Sequence, residues 1–125
     1  MPDYKAILDL WSEAYQKGDA ASVSKLYAED AVMTGATGRR SDGRSAIETA
    51  FQREMATTKS RKLTMKDTKR REYGNIVIQN DTWDLDLVSQ DDKTSSYSGR
   101  SSVVYHRTPQ GWWIIDHHVG VTPRT

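Results

Sequence analysis

The sequence predicts an α+β fold in which the helices come first and an antiparallel sheet follows. Apolar residues recur with a helical period in the first part of the chain, whereas the later part is rich in Val, Ile, Tyr and Trp, as strands are. The clearest strand signal is GRSSVVYHRTPQGWWIIDHHVGVTP (residues 99–123), which predicts two strands joined by a Pro-Gln-Gly turn and holds all three histidines. The predicted order is helix, short helix, strand, helix and four strands, with the helices on one face of the sheet.

The first helix is expected to begin after Asp3, a residue type that caps helices, and to end at Gly18. Its apolar positions follow the spacing of one helical face: Ile7, Leu8, Trp11, Ala14 and Tyr15. Asp19 then caps a shorter helical turn. The buried side chains expected on that turn are Val23, Leu26 and Tyr27.

Residues Ala31–Thr34 predict a short strand, and the glycines of the following GATGRRSDG predict an exposed loop. A third helix is expected from about Arg44, with Asp42 or Ser45 as its cap and the cations of Lys59–Lys62 at its end. Its buried side is expected to hold Ile47, Ala50, Phe51 and Met55.

Two strands are expected on either side of a turn at Gly74-Asn75. If their apolar residues share one face, the register needs an odd-length loop and places Lys66 opposite Asp84. The apolar residues of the second strand are even-numbered at its start and odd-numbered further along. This change predicts a bulge near Asn80 that bends the sheet into a cup. The residues concerned are Ile76, Ile78, Trp83, Leu85 and Leu87, with Leu63 and Met65 on the first strand.

The composition argues against several classes of function. The 125 residues suffice for one domain, residues 1–125, with its own core. The 18 basic and 17 acidic side chains give a formal net charge of +1, so no global field favours nucleic acid or an acidic membrane. The chain has no cysteine, which excludes disulfides and thiolate chemistry. Neither a signal peptide nor a membrane span is visible, and a cytoplasmic protein is expected.

The histidines and aspartates near the end of the chain are the candidates for chemistry. His117 and His118 are neighbours on a predicted strand, so they point to opposite faces and cannot share one metal ion. No other metal-ligand spacing occurs, and no metal or other cofactor is predicted. A His117 that faces a pocket could move a proton near neutral pH; the alternative is a histidine hydrogen-bonded within the sheet. Asp84 and Asp86 share a face, where surface charge pairing is favoured over a paired-carboxylate site.

Three segments carry a family resemblance: WSEAYQKGDAASVSKLYAEDAVM, DGRSAIETAF and GRSSVVYHRTPQGWWIIDHHVG. With them the chain resembles the nuclear transport factor 2-like superfamily, and within it the SnoaL-like and ketosteroid-isomerase-like small bacterial proteins. The resemblance implies a cone, in which a curved mixed or antiparallel sheet wraps around a long N-terminal helix as a cystatin-like α+β barrel. It also implies a pocket between helix and sheet, and a homodimer that forms through the outer face of the sheet.

Two groups within the superfamily help to narrow the function. In the steroid isomerases a tyrosine on the first helix and an aspartate on the first strand carry the chemistry, and these positions hold Trp11 and Gly35 here. The general base of those enzymes is therefore missing, although Tyr15 lies one turn along the same helical face. The final hairpin also resembles the association domain of calcium/calmodulin-dependent kinase II, whose pocket arginines fall on Val103 and Val119. This implies an apolar pocket, faced by the strand side that holds Trp113, His117 and Val119.

The first hypothesis is a protein that binds a small hydrophobic molecule, with isomerase or cyclase chemistry on a polycyclic or carbonyl-containing substrate. His117 or Tyr15 would move the proton. The ligand-binding side chains would be Trp11, Tyr27, Met33, Phe51, Met55, Trp83, Tyr105 and Trp113. The alternative is a non-catalytic module that associates with itself through the outer face of its sheet.

Overall fold

The computed structural model describes residues 3–122, and its elements follow the predicted order of helices before sheet. The helices are α1 (Tyr4–Lys17), α2 (Ala20–Ser24) and α3 (Arg44–Ala56). The strands are β1 (Tyr27–Thr34), β2 (Arg40–Asp42), β3 (Thr58–Tyr73), β4 (Ile76–Ser89), β5 (Thr94–Thr108) and β6 (Gly111–Val121). Within the described range no helix is both long and apolar enough to cross a membrane.

The described strands form one curved sheet in the order β2-β1-β6-β5-β4-β3. The pairing of β1 with β6 is parallel, and the other neighbours are antiparallel. The α+β fold class and the mixed curved sheet are therefore confirmed. The sheet stays open, because β2 and β3 are its two edges, and it does not close into a complete barrel.

Helix α1 ends where the sequence predicts. Gly18 has φ 74°, and the N–H groups of Gly18 and Asp19 donate to Tyr15 O and Ala14 O, which satisfies the last carbonyls of the helix. Asp3 precedes the helix, but its carboxylate makes no capping hydrogen bond. Asp19 does cap α2, since its side chain accepts from the backbone N–H of Ser22.

The stretch predicted as a loop after β1 contains a strand. Gly38 has φ 84° and turns the chain back, so that Ser41 on β2 pairs with Met33 on β1. This short strand was missed because its residues, Arg40–Asp42, have no strand propensity of their own. Strand β1 is also longer than predicted: it begins at Tyr27, which the sequence placed in the second helix.

The bounds of α3 differ from the prediction at both ends. Its N-cap is Gly43 rather than Asp42 or Ser45, and no side chain caps it. It ends at Ala56, so Lys59–Lys62 lie in β3 instead of at the helix end. The predicted buried positions Ile47, Phe51 and Met55 all face the core, and Ala50 packs against it.

The β3–β4 hairpin corrects both the predicted loop and the predicted bulge. Gly74-Asn75 is a two-residue turn, and the bulge lies between Met65 and Asp67 on β3, not near Asn80 on β4. Lys66 therefore does not pair with Asp84 in the ladder, although its ammonium lies 3.6 Å from the Asp84 carboxylate. Because β4 itself is regular at that point, its odd-numbered side chains from Val77 to Leu87 face inward, and polar residues occupy two of those positions, Gln79 and Asp81.

A second bulge corrects the predicted orientation of β6. The register shifts between Val104 and Tyr105, so that Tyr105 pairs with Ile114 and Val103 pairs with His117. Ile114 and His117 are both buried on the inner face, whereas Trp113 lies on the outer face opposite His106. The predicted inward Trp113 is therefore wrong. Its ring instead packs under the Arg44 guanidinium, 5.3 Å from the ring centroid.

Candidate functional site

A cavity of about 970 Å³ lies against the inner face of the sheet. Helices α1 and α3 and the β1–β2 hairpin supply its other walls. Tyr97 and Val121, each 41% exposed, stand where the cavity meets solvent. Most of the sheet's contribution is apolar: Leu63, Met65, Trp83, Leu85, Val103 and Val119. The sheet therefore forms a mostly apolar wall, while the charged side chains of the lining come mainly from α3 and the β1–β2 hairpin.

The structure brings most of the predicted site residues to this cavity. The ones that line it are Trp11, Tyr15, Met33, Phe51, Trp83, Tyr105 and His117. Tyr27 and Met55 are buried in the layer behind the lining. Trp113 lies on the outer face of the sheet and is not one of the residues that line the cavity.

His117 is held in place by a chain of hydrogen bonds that starts on α1. Trp11 Nε1 donates to Tyr27 Oη at 3.0 Å, and Tyr27 Oη lies 2.7 Å from His117 Nδ1. Tyr27 has one proton to donate, and an imidazole nitrogen is a stronger acceptor than the Met33 sulfur 3.8 Å away. We therefore assign the hydrogen of the neutral ring to Nε2, the nitrogen that Tyr27 does not contact.

The protonation state of His117 follows from its surroundings. The side chain is 5% exposed, and burial, with a smaller contribution from His118, lowers its pKa to about 4. No carboxylate offsets this effect, so the ring is neutral at pH 7. A neutral imidazole with its hydrogen on Nε2 is a hydrogen-bond donor toward the cavity.

Tyr15, the second predicted proton carrier, is engaged elsewhere. Its hydroxyl donates to Glu54 Oε1 on α3, and its ring stacks on Trp11 at 5.0 Å between centroids. Burial raises the pKa of Tyr15 well above its ordinary value, and the Glu54 charge adds to the shift. The geometry therefore makes Tyr15 a wall residue that ties α1 to α3.

Sequence reasoning missed a polar pair on β4. Gln79 is fully buried, and Asp81 is 4% exposed and lines the cavity. Gln79 Oε1 accepts from Tyr105 Oη at 3.0 Å and from Arg70 Nε at 2.9 Å, and Gln79 Nε2 donates to Asp81 Oδ2 at 3.0 Å. The signal that could have found them is the uninterrupted alternation Val77-Gln79-Asp81-Trp83, in which every second residue faces inward.

Asp81 is not fully satisfied by this network. Its Oδ1 is the one buried side-chain oxygen or nitrogen within residues 3–122 that has no hydrogen-bond partner. Burial raises the pKa of Asp81, and the Asp67 charge adds a smaller effect, while the Gln79 hydrogen bond, the neighbouring Thr68 hydroxyl and the Arg70 charge act in the opposite direction. By contrast, Asp84 and Asp86 lie on the outer face, as predicted, where they accept from Ser98 Oγ and Ser96 Oγ.

The fold and the cavity together define the class of protein: a cone-shaped α+β domain with an open, curved sheet and a hollow beneath its helices. The chain belongs to the SnoaL-like domain family, whose sequence profile matches residues 5–122. The comparison with curated proteins finds no match.

Solved structures with the same fold are similar over nearly the whole chain. A nuclear transport factor 2-like superfamily protein from Salmonella enterica has 22% identity and a TM-score of 0.87, covering 95% of this chain and 88% of that one. A protein from Xanthomonas campestris, provisionally named a calcium/calmodulin-dependent kinase II association domain, has 24% identity and a TM-score of 0.86, with coverages of 97% and 86%. A provisionally named scytalone dehydratase from Novosphingobium aromaticivorans has 10% identity and a TM-score of 0.87, with coverages of 97% and 83%. These likenesses establish the fold.

Proposed function

We propose that the protein binds a small, largely apolar molecule that carries a carbonyl oxygen. The observation that carries this proposal is the cavity of about 970 Å³, with aromatic walls and the neutral His117 in its lining. A volume of this size falls at the upper end of the range for small-molecule sites, about 300–1,000 Å³. Binding would bury apolar ligand surface against Trp11, Phe51 and Trp83.

The chemistry we propose is polarisation of the ligand carbonyl by His117. An N–H donor in a water-poor site stabilises negative charge that develops on oxygen, as isomerase and cyclase reactions require. With a pKa of about 4, His117 acts as a neutral donor rather than as an acid that is charged at rest. Tyr15 contributes shape and not proton transfer, because its hydroxyl is bonded to Glu54. The proposal requires no cofactor.

Calorimetric titration with 2-acetylnaphthalene and with 2-ethylnaphthalene, which has no oxygen, tests this function. We expect the ketone to bind more tightly, by about fivefold, because it accepts one net hydrogen bond. His117→Ala should remove that preference and leave binding of the hydrocarbon in place. His118→Ala is the matched control on the outer face of β6 and should change neither. Failure of both compounds to bind the folded protein would refute the proposal.

A second candidate, self-association, is favoured by the outer face of the sheet. Ile76, Ile78, Val104 and Trp113 are half-buried there and form a cross-strand patch over β4, β5 and β6. We propose that this patch pairs with its copy in a homodimer. Val104→Glu should then give a monomer by native mass spectrometry at micromolar concentration. A wild-type monomer under the same conditions would exclude the candidate.

A further inference from the structure

Asp81 and its neighbours form a second polar point in the cavity that no part of the proposed function uses. The carboxyl group is almost fully buried, and its Oδ2 is fixed by Gln79. Its Oδ1 lacks a partner within the described residues. A buried polar atom left unpaired is costly, so a native structure that keeps one at a cavity wall points to a partner that arrives with the ligand.

The register of the sheet sets the distance between Asp81 on β4 and His117 on β6, which are separated by β5. His117 pairs with Val103, and Val103 pairs with Gln79, two residues before Asp81 on the same face. With strands about 4.8 Å apart and alternate residues about 6.6 Å apart, the two Cα atoms are separated by about 12 Å across a flat sheet. Both side chains project into the concave face, which shortens the gap between their polar atoms. A two-ring aromatic molecule with an oxygen at each end can bridge such a span.

Burial favours a neutral carboxyl group at Asp81, whereas its hydrogen-bond partners and the Arg70 charge favour the carboxylate anion. Gln79 turns its amide N–H toward Oδ2 because its own Oε1 is occupied by two donors, Tyr105 and Arg70. No cation contacts the carboxylate directly within residues 3–122: Arg70 is held one side chain away by Gln79. Since Oδ2 accepts from Gln79, a proton on the carboxyl group belongs on Oδ1.

We propose that Asp81 is the second polar anchor of the cavity: in the ligand-bound state its Oδ1 carries a proton from solvent and donates it to a second oxygen of a neutral ligand. This inference rests on the proposed function, because it concerns a ligand in the same cavity. It narrows the ligand class to uncharged, apolar molecules with two oxygen acceptors at opposite ends, one for His117 and one for Asp81.

Comparison of 2,6-diacetylnaphthalene with 2-acetylnaphthalene tests the proposal, since the ketone oxygens can only accept. The wild-type protein should bind the diketone about fivefold to tenfold more tightly, beyond the statistical factor that two equivalent ends give. Asp81→Asn should keep this gain, because its amide N–H can replace the protonated Oδ1 while its oxygen still accepts from Gln79. Asp81→Leu should abolish the gain and retain the monoketone affinity. Asp84→Asn, on the outer face of the same strand, is the control and should behave as wild type.

The outcomes separate the two proposals. If neither ketone binds, the proposed function fails and this inference falls with it. If the monoketone binds but the diketone shows no gain, or Asp81→Leu keeps the gain, the Asp81 anchor is refuted while the proposed function stands. Loss of the gain in Asp81→Asn would show that a neutral N–H donor at this position cannot replace the Asp81 carboxyl group, and would overturn the proposed hydrogen bond to the ligand.

A pH series keeps the inference testable should Asp81→Leu fail to fold. The charged and titratable groups around Asp81 are Arg70 and Asp67 on β3 and Tyr105 on β5. Lys69 and Arg100 lie across the sheet on its outer face. Between about pH 5 and about pH 8, diketone affinity of the wild type should fall as pH rises, because binding takes up a proton. The diketone affinity of Asp81→Asn should not change with pH. A wild-type affinity that is also independent of pH would contradict the proposal.

Discussion

Two buried titratable groups on the sheet wall of the cavity, His117 and Asp81, differ in how their polar atoms are paired. His117 on β6 has a partner, Tyr27, for the nitrogen that faces the core, whereas Asp81 on β4 has one oxygen fixed by Gln79 and one left free. Burial acts on both, but in opposite directions: it lowers the pKa of His117 and raises that of Asp81. Both shifts favour the neutral form. The comparison teaches that the inner face of the sheet suits uncharged ligand groups, because burial drives both of these titratable side chains toward the neutral form.

The ring of Trp83, a residue of the cavity wall, packs directly on Gly99, and Gly99→Ala should have the largest effect on stability. A Cβ at this position would lie 2.3 Å from both Gly120 O and the ring of Trp83, the residue that stands beside Asp81 in the wall. We expect a loss of about 3 kcal/mol or more in the free energy of unfolding, measured in urea. Gly120→Ala is the matched control, because its Cβ would meet nothing closer than 3.9 Å. Equal effects of the two substitutions would contradict the close packing of Trp83 on Gly99.

The pH dependence of stability should reveal the buried His117. Its folded pKa is about 4 and its ordinary value 6.5, so between these values the unfolded chain binds the extra proton. Stability is therefore complete above pH 6.5 and falls as pH decreases toward 4, by about 3 kcal/mol for this group. His117→Gln should flatten this part of the profile in urea denaturation. An unchanged profile would show that His117 is not the buried titrating group.

Tyr27→Phe should destabilise the fold, because it leaves the ring nitrogens of Trp11 and His117 without the hydrogen-bond partner that they share. The hydroxyl that is lost serves Trp11 Nε1 and His117 Nδ1. We expect a loss of about 2 kcal/mol in the free energy of unfolding. Tyr73→Phe is the control, because Tyr73 is 58% exposed. A cost no larger than that of the control would argue against the Trp11–Tyr27–His117 chain.

The smallest effects should come from two aspartates on opposite faces of β4. Asp81→Asn should raise stability at neutral pH by no more than about 1 kcal/mol, because a carboxylate disfavoured by burial is replaced by a neutral amide. The raised pKa of Asp81 means that wild-type stability falls relative to the variant as pH rises through the window above the ordinary pKa of 3.8.

Asp84→Asn loses only a solvent-screened contact with Lys66 and should change stability by less than about 0.5 kcal/mol. A destabilised Asp81→Asn variant would contradict the account of the inner carboxyl group.

Much of the fold could be predicted from local patterns. The helical period found α1 and its end at Gly18, and strand alternation correctly separated His117 from His118. Side-chain orientation was predicted less well, because one extra residue in a bulge makes every later residue of the strand face the opposite side of the sheet. The bulge next to Tyr105 moved Trp113 to the outer face in this way.

The polar half of the site escaped prediction for a different reason. Aspartate and glutamine are expected outside, so the sequence favoured Ile76 and Ile78 as the inward residues of β4. The structure instead buries Gln79 and Asp81, and the arrangement is tolerable only because Arg70 on β3 and Tyr105 on β5 supply hydrogen bonds. Such partners come from strands distant in sequence, and no local pattern reports them.

The most direct measurement of whether the cavity takes a guest uses the indole N–H signals of the four tryptophans in a ¹H–¹⁵N spectrum. Trp11 and Trp83 line the hollow, whereas Trp113 lies on the far side of the sheet with its Nε1 bonded to Thr108. Titration with 2-acetylnaphthalene should shift the signals of Trp11 and Trp83 and leave that of Trp113 in place. A spectrum in which no signal moves, or in which Trp113 alone moves, would contradict a ligand-binding interior.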